Sequence, residues 1–529
     1  MLFSVGFCFS QEDAWVYFKD KPDAEYYLAN PLEMLSQKAL DRRLVQKIAL
    51  DDRDVPQHQP YIDAVMSAEG ITVMAKSKWL NALHIRGSQL DIIALKSFVF
   101  VDRVEFANRS LNIAGRIVMQ QQNNIVTKEL ETQTEFNYGN SANQIQMLNG
   151  NLLHQQNFTG KGMTIAVLDA GFPNVNTAKP FQRLLDNNLI IGGYNFVSRS
   201  DDFYTGGTHG TTVLSTMGGY VEGQLTGTAP DAFYYLFVTE DPTNENPVEE
   251  SYWVEAAERA DSLGVDVINT SLGYFKYDNG AYSYTYSDMN GETAFITRGM
   301  NVAFSRGIFC VVSAGNTGTG SDPHIGSPAD AINSLTVGAV DAMENYANFS
   351  SIGPSFDGRV KPDVMAKGAQ ATMASAQGKV TIGNGTSLAS PITAGLVACL
   401  WQALPNKTNA ELLQLIKESA DRYGNPTVQY GYGIPDFNLA LQNGWGTANP
   451  SDKKIILYPN PSNDIINLVF PKGTLNGTIT IFNNLGQLIT EKTVSVNESF
   501  FSISSLAIGF YSYRFESATL SQTGRIIKE

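Results

Sequence analysis

Cysteine is nearly absent from this chain. Only 3 of the 529 residues are cysteines, at Cys8, Cys310 and Cys399. Cys310 and Cys399 lie in apolar runs, and no metal-ligand spacing links them to other residues. We therefore expect buried free thiols, and neither a metal centre nor a disulfide framework.

Net positive charge and long apolar runs are also missing. Acidic residues outnumber lysine and arginine by 52 to 37, a formal net charge of −15, so the chain has no strong electrostatic footprint for nucleic acid. The acidity favours solubility, with occupied cation sites as the alternative. After the first residues, no apolar run approaches the roughly 18 residues of a membrane-spanning helix, and we expect no transmembrane segment.

The length predicts about three domains, and the composition includes enough hydrophobic residues for each of them to form a core. Hydrophobic residues make up 43% of the chain and charged residues 17%. The first stretch, Met1 to Ser10, is apolar and small and gives way to polar sequence at Gln11. This is typical of the end of a secretory signal, although no positively charged segment precedes it. We interpret residues 1–11 as a signal peptide remnant.

Residues 12–110 show the pattern of a small α+β unit. Asn30-Pro31-Leu32-Glu33 is a helix-start pattern and predicts one helix running through Leu40, while Leu90 to Leu95 predicts another. The predicted strands are Ala14 to Phe18, Ile71 to Ala75, Leu80 to Ile85 and Phe98 to Glu105. Residues 111–137 are polar and predict an exposed linker that a protease can cut.

Residues 138–447 alternate apolar strands with helical patterns, which predicts an α/β fold with a parallel sheet flanked by helices. Residues 452–529 change to about seven short strands with turn signals, which predicts a small β-sandwich. The strands predicted for the α/β part are Met163 to Leu168, Ala232 to Val238, Val265 to Thr270, Ile308 to Val312 and Ser334 to Val340.

Two candidate catalytic residues, Asp169 and His209, lie next to a predicted strand and a predicted helix of the α/β part. Asp169 ends the strand Met163 to Leu168, where open α/β sheets place their sites, although a lone Asp there is more often a turn residue. His209 has glycines on both sides, so a substrate backbone can approach it. His324 is the one competing histidine; the surface is the expected place of His58, His84 and His154.

Ser387 and Asn316 complete the candidate site. Ser387 opens a helical run and is surrounded by small residues, so its hydroxyl is uncovered, although a serine at a helix start is usually a cap. The helix start favours negative charge at a reacting centre, and we place Pro391 in its first turn. Asn316 follows Ser313-Ala314-Gly315 at the end of the strand Ile308 to Val312. Its amide can donate to an oxyanion, although a lone Asn in a loop is more often a turn residue.

The order Asp, His, Ser along the chain is one of those known for a catalytic triad. With these motifs the chain resembles the subtilisin-like serine peptidases, the subtilases. Further matches are Ser327-Pro328-Ala329 and Gly358 to Asp363. The stretches that carry the resemblance are Ile165-Ala166-Val167-Leu168-Asp169-Ala170-Gly171, His209-Gly210-Thr211, Asn269-Thr270-Ser271-Leu272-Gly273, Ser313-Ala314-Gly315-Asn316 and Gly385-Thr386-Ser387-Leu388-Ala389-Ser390-Pro391.

The resemblance implies a role for each residue. Ser387 would be the nucleophile, His209 the general base and then acid, and Asp169 the group that orients the imidazole. Asn316 would bind the oxyanion. The edge strand for an extended substrate would be Ser271, Leu272 and Gly273, opposite a pocket wall of Ala314 and Gly315. One departure is Ala170, where the family has Ser or Thr, so a hydrogen bond to the Asp169 carboxylate is lost.

The flanking units resemble known modules too. Residues 12–110 resemble the subtilase propeptide, which inhibits the enzyme until it is cleaved. Residues 452–529 resemble the C-terminal sorting domain of the type IX secretion system of Bacteroidota, with a generic β-sandwich binding module as the alternative. This second resemblance implies the secretion machinery as a partner and export to the cell surface or the medium. Its motifs are Tyr458-Pro459-Asn460-Pro461, Ile481-Phe482-Asn483-Asn484-Leu485-Gly486-Gln487 and Leu506-Ala507-Ile508-Gly509-Phe510-Tyr511.

Two local features leave alternatives open. Five tyrosines in Tyr274 to Asn290 could form an aromatic rim for substrate or a packed surface loop. Asp288 to Glu292 places oxygen ligands at short spacing but lacks a full calcium-loop pattern, which favours a turn. No cofactor is needed for the chemistry, and the family permits structural calcium without locating it here.

The prediction from the sequence is a secreted endopeptidase that acts on proteins or peptides. A non-catalytic binding protein with the same fold, favoured only by Ala170, is one alternative. A peptidase restricted to one processing event is another, and a narrow cleavage profile would favour it.

Overall fold

The computed structural model describes residues 11–112, 136–445 and 455–528, except residues 459, 461, 471–473, 484–485, 497–498 and 519. The predicted signal remnant therefore lies, apart from its last residue, outside the described residues, as do Cys8 and most of the predicted linker. Parts of the sorting-domain motifs, among them Pro459 and Leu485, also lie outside them. The predicted limits of the units stay predictions.

The first unit is a four-stranded antiparallel sheet in the order β2-β3-β1-β4 with helices packed on it. Side chains alternate along β1: Ala14 and Val16 enter the core of this unit, while Trp15 and Tyr17 join the core of the second unit. Its elements are β1 Gln11–Phe18, α1 Ala24–Ala29, α2 Gln37–Val45, α3 Gln59–Met66, β2 Thr72–Ser77, β3 Ala82–Ser88, α4 Gln89–Ala94 and β4 Val101–Phe106.

The single helix predicted from Asn30 through Leu40 was wrong. A short 3-10 helix covers Pro31–Glu33, and α2 begins separately at Gln37. The Asn30 side chain donates to the Tyr26 carbonyl at 2.9 Å, while Ser36 caps α2 by accepting the Ala39 N–H at 3.2 Å. The backbone N–H of Ser36 is bound by a carbonyl of the second unit, so a tertiary contact sets the helix start.

The second unit holds a seven-stranded parallel sheet in the order β13-β12-β11-β10-β5-β9-β6, so the predicted α/β fold is confirmed. Its central strands are buried along their whole length, which explains their continuous apolar runs. Its helices are α5 Ala142–Gln146, α6 Gly150–Gln155, α7 Gln182–Asp186, α8 His209–Gly218, α9 Val248–Leu263, α10 Phe295–Ser305, α11 Thr386–Ala403, α12 Asn409–Ser419 and α13 Phe437–Gly444.

Three neighbouring strands of this sheet end at the same edge. Thr270 at the end of β10 pairs with Leu168 of β5 and Val312 of β11, so the residues that follow lie side by side. The strands of the second unit are β5 Thr164–Asp169, β6 Ile190–Asn195, β7 Tyr220–Val221, β8 Leu225–Thr226, β9 Phe233–Val238, β10 Val267–Thr270, β11 Phe309–Ser313, β12 Leu335–Val340, β13 Val364–Lys367, β14 Ala371–Ala374 and β15 Val380–Gly383.

The third unit is built of β-strands in two antiparallel sheets that share one apolar core. The sheet orders are β16-β17-β20 and β19-β18-β21-β22, the arrangement of the predicted β-sandwich. Its strands are β16 Ile456–Tyr458, β17 Ile465–Val469, β18 Asn476–Phe482, β19 Leu488–Ser495, β20 Phe500–Ser502, β21 Gly509–Glu516 and β22 Ser521–Lys528. Within the described ranges, no helix is long and apolar enough to cross a bilayer.

Candidate active site

Asp169 and His209 form a hydrogen-bonded pair at the edge of the sheet. Asp169 ends β5 and is 1% exposed, and His209 begins α8 with its Nδ1 2.8 Å from Asp169 Oδ1. The backbone N–H of Ala170 donates to the same oxygen at 2.8 Å. The charge of Asp169 raises the pKa of His209 above its usual value, against the lowering effect of burial.

The second oxygen of this carboxylate, Asp169 Oδ2, is buried and has no hydrogen-bond partner among the described residues. This is the oxygen for which a hydroxyl at position 170 could supply a donor. The missing hydroxyl at Ala170 is therefore accompanied by an unpaired carboxylate oxygen in the site.

Backbone pairing brings Asp169 and His209 together. Phe172 donates its N–H to the Thr205 carbonyl at 3.0 Å, and Gly207 donates to the Ala170 carbonyl at 2.8 Å. A Cβ on Gly171 would lie 2.3 Å from the Thr205 oxygen, so only glycine permits this close approach. The loop after β5 and the loop before α8 are thus joined side by side.

Ser387 lies in the first turn of α11, after a glycine with an unusual backbone. Gly385 has φ +152°, and a Cβ at this position would lie 2.9 Å from Ser387 Oγ. The glycine therefore keeps the space in front of the hydroxyl open. The sequence predicted an uncovered hydroxyl here, and the structure gives the reason for it.

Asn316 is oriented by Thr386, the residue before Ser387. The Thr386 N–H and hydroxyl donate to Asn316 Oδ1 at 2.9 and 3.1 Å, and Thr386 Oγ1 accepts the Gly315 N–H at 3.2 Å. Because its oxygen is engaged in this way, Asn316 presents its Nδ2 toward Ser387: that nitrogen lies 3.8 Å from the Cβ position of Gly385. Sequence reasoning gave Thr386 no role.

A chain of hydrogen bonds ties β10 to the start of α11. Ser390 Oγ donates to Asn269 Oδ1 at 2.9 Å, Asn269 Nδ2 donates to Ser271 Oγ at 3.0 Å, and Ser271 Oγ donates to the Ser387 carbonyl at 3.0 Å. Pro391 lacks the N–H that would bind this carbonyl inside a helix, and Ser271 replaces it. Pro391 is the sixth residue of α11, so its predicted place in the first turn was wrong.

Most of the predicted site residues line one cleft of about 220 Å³. It is lined by His209, Ser387 and Asn316, by the predicted edge strand Ser271 to Gly273, and by the predicted wall Ala314 and Gly315. Asp169 lies beneath it, bonded to His209. The arrangement places a hydroxyl, an imidazole and an amide donor around one space, which is the set that acyl transfer requires.

Two histidines differ from their predicted surface positions. His84 is 1% exposed and is hydrogen-bonded to Asp13 and Ser251 where the first two units meet. His154 is fully buried, its Nε2 donates to the Thr228 carbonyl, and burial lowers its pKa to about 4. Both belong to buried faces that a short sequence window cannot reveal, whereas His58 is partly exposed and pairs with Asp23.

Four of the five tyrosines in the tyrosine-rich stretch are buried, which fits a packed loop, and Tyr274 among them also lines the cleft. Tyr274 donates its hydroxyl to Glu240, and Tyr277 and Tyr284 donate theirs to the buried carboxylate of Glu250. Asp288 accepts from the Thr285 N–H and pairs with Arg109, which fits the turn. Among the described residues no group of three or more His, Cys, Asp or Glu could hold a metal ion, and Cys310 and Cys399 are buried free thiols.

Comparison with known proteins identifies three modules. The Bacteroidota peptidase S8 propeptide domain matches residues 13–127, and a secretion system C-terminal sorting domain matches residues 456–529. The sorting domain marks the protein for export to the cell surface or the medium. The subtilase family model matches residues 160–434.

Individual relatives agree with the family match. The chain is 32% identical over 301 residues to subtilisin NAT of Bacillus subtilis subsp. natto, covering 56% of this chain and 70% of that protein. It is 31% identical over the same length to a subtilisin of Bacillus pumilus, covering 98% of it. With its parallel sheet, its cleft and these matches, the chain belongs to the subtilase family and is a secreted serine endopeptidase.

Proposed function

We propose that this enzyme hydrolyses peptide bonds through a triad of Asp169, His209 and Ser387 and an acyl-enzyme intermediate. The observation that carries the proposal is the single cleft where Ser387, His209 and Asn316 meet, with Asp169 hydrogen-bonded to His209 behind it. The chemistry uses only groups of the chain itself. We assign no site to structural calcium.

In the first half-reaction, Ser387 Oγ attacks the carbonyl carbon of the scissile bond and His209 Nε2 takes its proton. The Asn316 amide and the Ser387 backbone N–H stabilise the oxyanion of the tetrahedral intermediate. His209 then gives the proton to the leaving amine, and the acyl group stays on Ser387. Asp169 holds the imidazole with its Nδ1–H directed at the carboxylate.

In the second half-reaction, water attacks the acyl-enzyme and His209 again acts as base and then acid. The substrate lies extended along Ser271 to Gly273, which directly follow β10, and faces Ala314 and Gly315. The free backbone groups of such a segment can bind an extended peptide in the manner of an added strand. The acid is released and Ser387 recovers its proton. Proteins or peptides with an accessible extended segment are therefore the substrates.

The first unit is the proposed inhibitor of the immature enzyme. Glu258 on α9 accepts hydrogen bonds from Ser77 Oγ and from the backbone N–H groups of Lys78 and Trp79. Trp15 stacks on Phe295 of α10 with ring centroids 4.9 Å apart. These contacts tie the propeptide to the catalytic unit, and the secretion machinery is the partner of the third unit.

A fluorophosphonate probe tests the proposed nucleophile. The processed wild type should be labelled and should cleave casein, while Ser387→Ala, freed of its propeptide by a separate protease, should do neither. The matched control is Ser198→Ala, an exposed serine of the same unit, which should behave like the wild type. Labelling that persists in Ser387→Ala contradicts the proposal because another residue would then be the nucleophile. A wild type that neither labels nor cleaves also contradicts it and favours a non-catalytic binding protein.

A further inference from the structure

His324 is a second imidazole in the substrate cleft, beside the candidate oxyanion site. It lines the same cleft as Ser387 and Asn316. Its backbone carbonyl accepts a hydrogen bond of 3.1 Å from the hydroxyl of Thr317, the residue that directly follows Asn316. The cleft is also lined by Ala314 and Gly315, the predicted pocket wall. His324 therefore shares the space expected to hold the P1 side chain, which belongs to the residue that supplies the carbonyl under attack.

The ring is held in place from two sides. It stacks on Tyr286 with ring centroids 3.9 Å apart and 23° between the planes. His324 Nδ1 lies 3.2 Å from Asp322 Oδ1, and the Tyr286 hydroxyl is itself occupied by the Pro354 carbonyl at 2.9 Å. Asp322 is thus the charged group that faces the imidazole directly. A ring fixed in this way can offer one defined nitrogen to a substrate.

Three other hydroxyls in this part of the cleft are already in use. Ser327 Oγ donates to the Tyr274 carbonyl at 3.1 Å, and Thr317 Oγ1 and Ser351 Oγ bond to each other at 2.8 Å. His324 Nε2 has no hydrogen-bond partner among the described residues and is not a buried atom, since the side chain is 27% exposed. Nε2 is therefore a free polar atom of this wall.

The tautomer of the neutral ring follows from Asp322. A carboxylate only accepts hydrogen bonds, so Nδ1 carries the proton and the neutral ring presents the lone pair of Nε2 to the cleft. A lone pair in a pocket wall binds a side chain that carries an N–H donor. The negative charge of Asp322 behind the ring adds to this preference.

We propose that His324 is a specificity-determining residue that accepts a hydrogen bond from the P1 side chain. The enzyme then prefers P1 residues with an N–H donor, such as glutamine or lysine, over apolar residues of the same size. This inference rests on the proposed acyl-transfer function and adds a substrate class to it. One hydrogen bond between neutral groups corresponds to roughly a three- to tenfold preference.

Two peptides that differ only at P1, glutamine against methionine, test the preference. With processed wild-type protein at pH 8, kcat/KM should favour the glutamine peptide by roughly three- to tenfold. In His324→Phe, which keeps an aromatic ring on Tyr286 but removes Nε2, the ratio should fall to about one because only the donor preference is lost.

Asp322→Asn provides a second variant. An asparagine amide can donate to Nδ1, which moves the ring proton to Nε2 and turns the acceptor into a donor, so a P1 glutamate peptide, whose carboxylate only accepts, should gain relative to methionine. A wild-type ratio of one, or a ratio that is unchanged in His324→Phe, overturns the inference. Absence of cleavage of every peptide by the wild type is a different result, since it contradicts the proposed function itself.

Discussion

Buried carboxylates serve two different purposes in this protein, in the cleft and in the contact between the propeptide and the catalytic unit. At that contact each carboxylate has donors on both oxygens: Glu258 accepts from three groups of the propeptide, and Asp261 from Arg42 and Arg43. In the cleft, Asp169 has two donors on one oxygen and none on the other.

This difference in hydrogen bonding distinguishes carboxylates that bind the propeptide from the carboxylate that takes part in the chemistry. A fully satisfied carboxylate is costly to disturb and holds two surfaces together. Asp169 instead has one oxygen directed at an imidazole whose charge must change during the reaction. We therefore expect substitutions in the cleft to lower rates with little effect on stability, and substitutions at the contact to do the reverse.

The largest expected effect in the cleft is that of Asp169→Asn. It removes the charge that supports protonated His209 and permits the wrong tautomer, so kcat should fall by about 10⁴-fold. Steady-state kinetics with a peptide substrate measures it, and circular dichroism should show the same fold. Asp201→Asn, at an exposed position of the same unit, is the control. A fall of less than tenfold would place the proton transfer elsewhere.

The matching change at the contact is Arg43→Leu. Arg43 is buried and pairs with both Asp54 and Asp261, so its loss leaves two buried carboxylates short of a partner. The free energy of unfolding of the propeptide should fall by about 3–5 kcal/mol. Urea unfolding of the Ser387→Ala chain, which keeps its propeptide attached, measures this value; exposed Lys96→Leu should leave it unchanged. No loss of stability would mean that these charges contribute nothing to the contact.

Asn316→Leu should lower kcat by about 10²- to 10³-fold with little change in KM, because the amide stabilises the oxyanion only in the transition state. Thr386→Val should have the same sign and a smaller effect, since the backbone N–H of residue 386 still holds Asn316 Oδ1. Kinetics of both variants with one peptide compares them. A rise in KM alone would assign Asn316 to ground-state binding.

The pH dependence of kcat/KM should show the influence of Asp169. His209 accepts a proton only when neutral, so activity falls as pH drops through its pKa. Because Asp169 raises that pKa, the acid limb of the profile should lie above the value of about 6.5 of an unperturbed imidazole. Residual activity of Asp169→Asn should fall at lower pH than that of the wild type, and an acid limb at the same pH in both would contradict this account.

The smallest expected effect is that of Ala170→Ser. The new hydroxyl can donate to Asp169 Oδ2, which makes the cleft carboxylate resemble those of the contact. One such bond is worth about 1 kcal/mol, so thermal stability should rise slightly and kcat should change by less than about tenfold. Differential scanning calorimetry and kinetics, with Ala170→Gly as the comparison, measure both. A loss of thermal stability would show that a donor to Asp169 Oδ2 does not stabilise the protein.

The sequence was most informative where a site residue directly follows a strand or opens a helix. Asp169, Asn316 and Ser387 are of this kind, since the strand pattern and the glycines around them can be read in a short window. Thr386 and Asn269 were missed because their partners lie 70 and 121 residues away in the chain. The short α2 of the propeptide and the buried His84 also depend on contacts with the second unit, which local patterns do not contain.

In the proposed mechanism, Ser387 carries the acyl group during turnover. Rapid acid quenching of the processed enzyme with a peptide ester, followed by mass spectrometry of its fragments, tests this most directly. We expect an acyl adduct on the fragment that contains Ser387, formed before product accumulates and absent in Ser387→Ala. Steady turnover of the ester without any adduct on that fragment would contradict it.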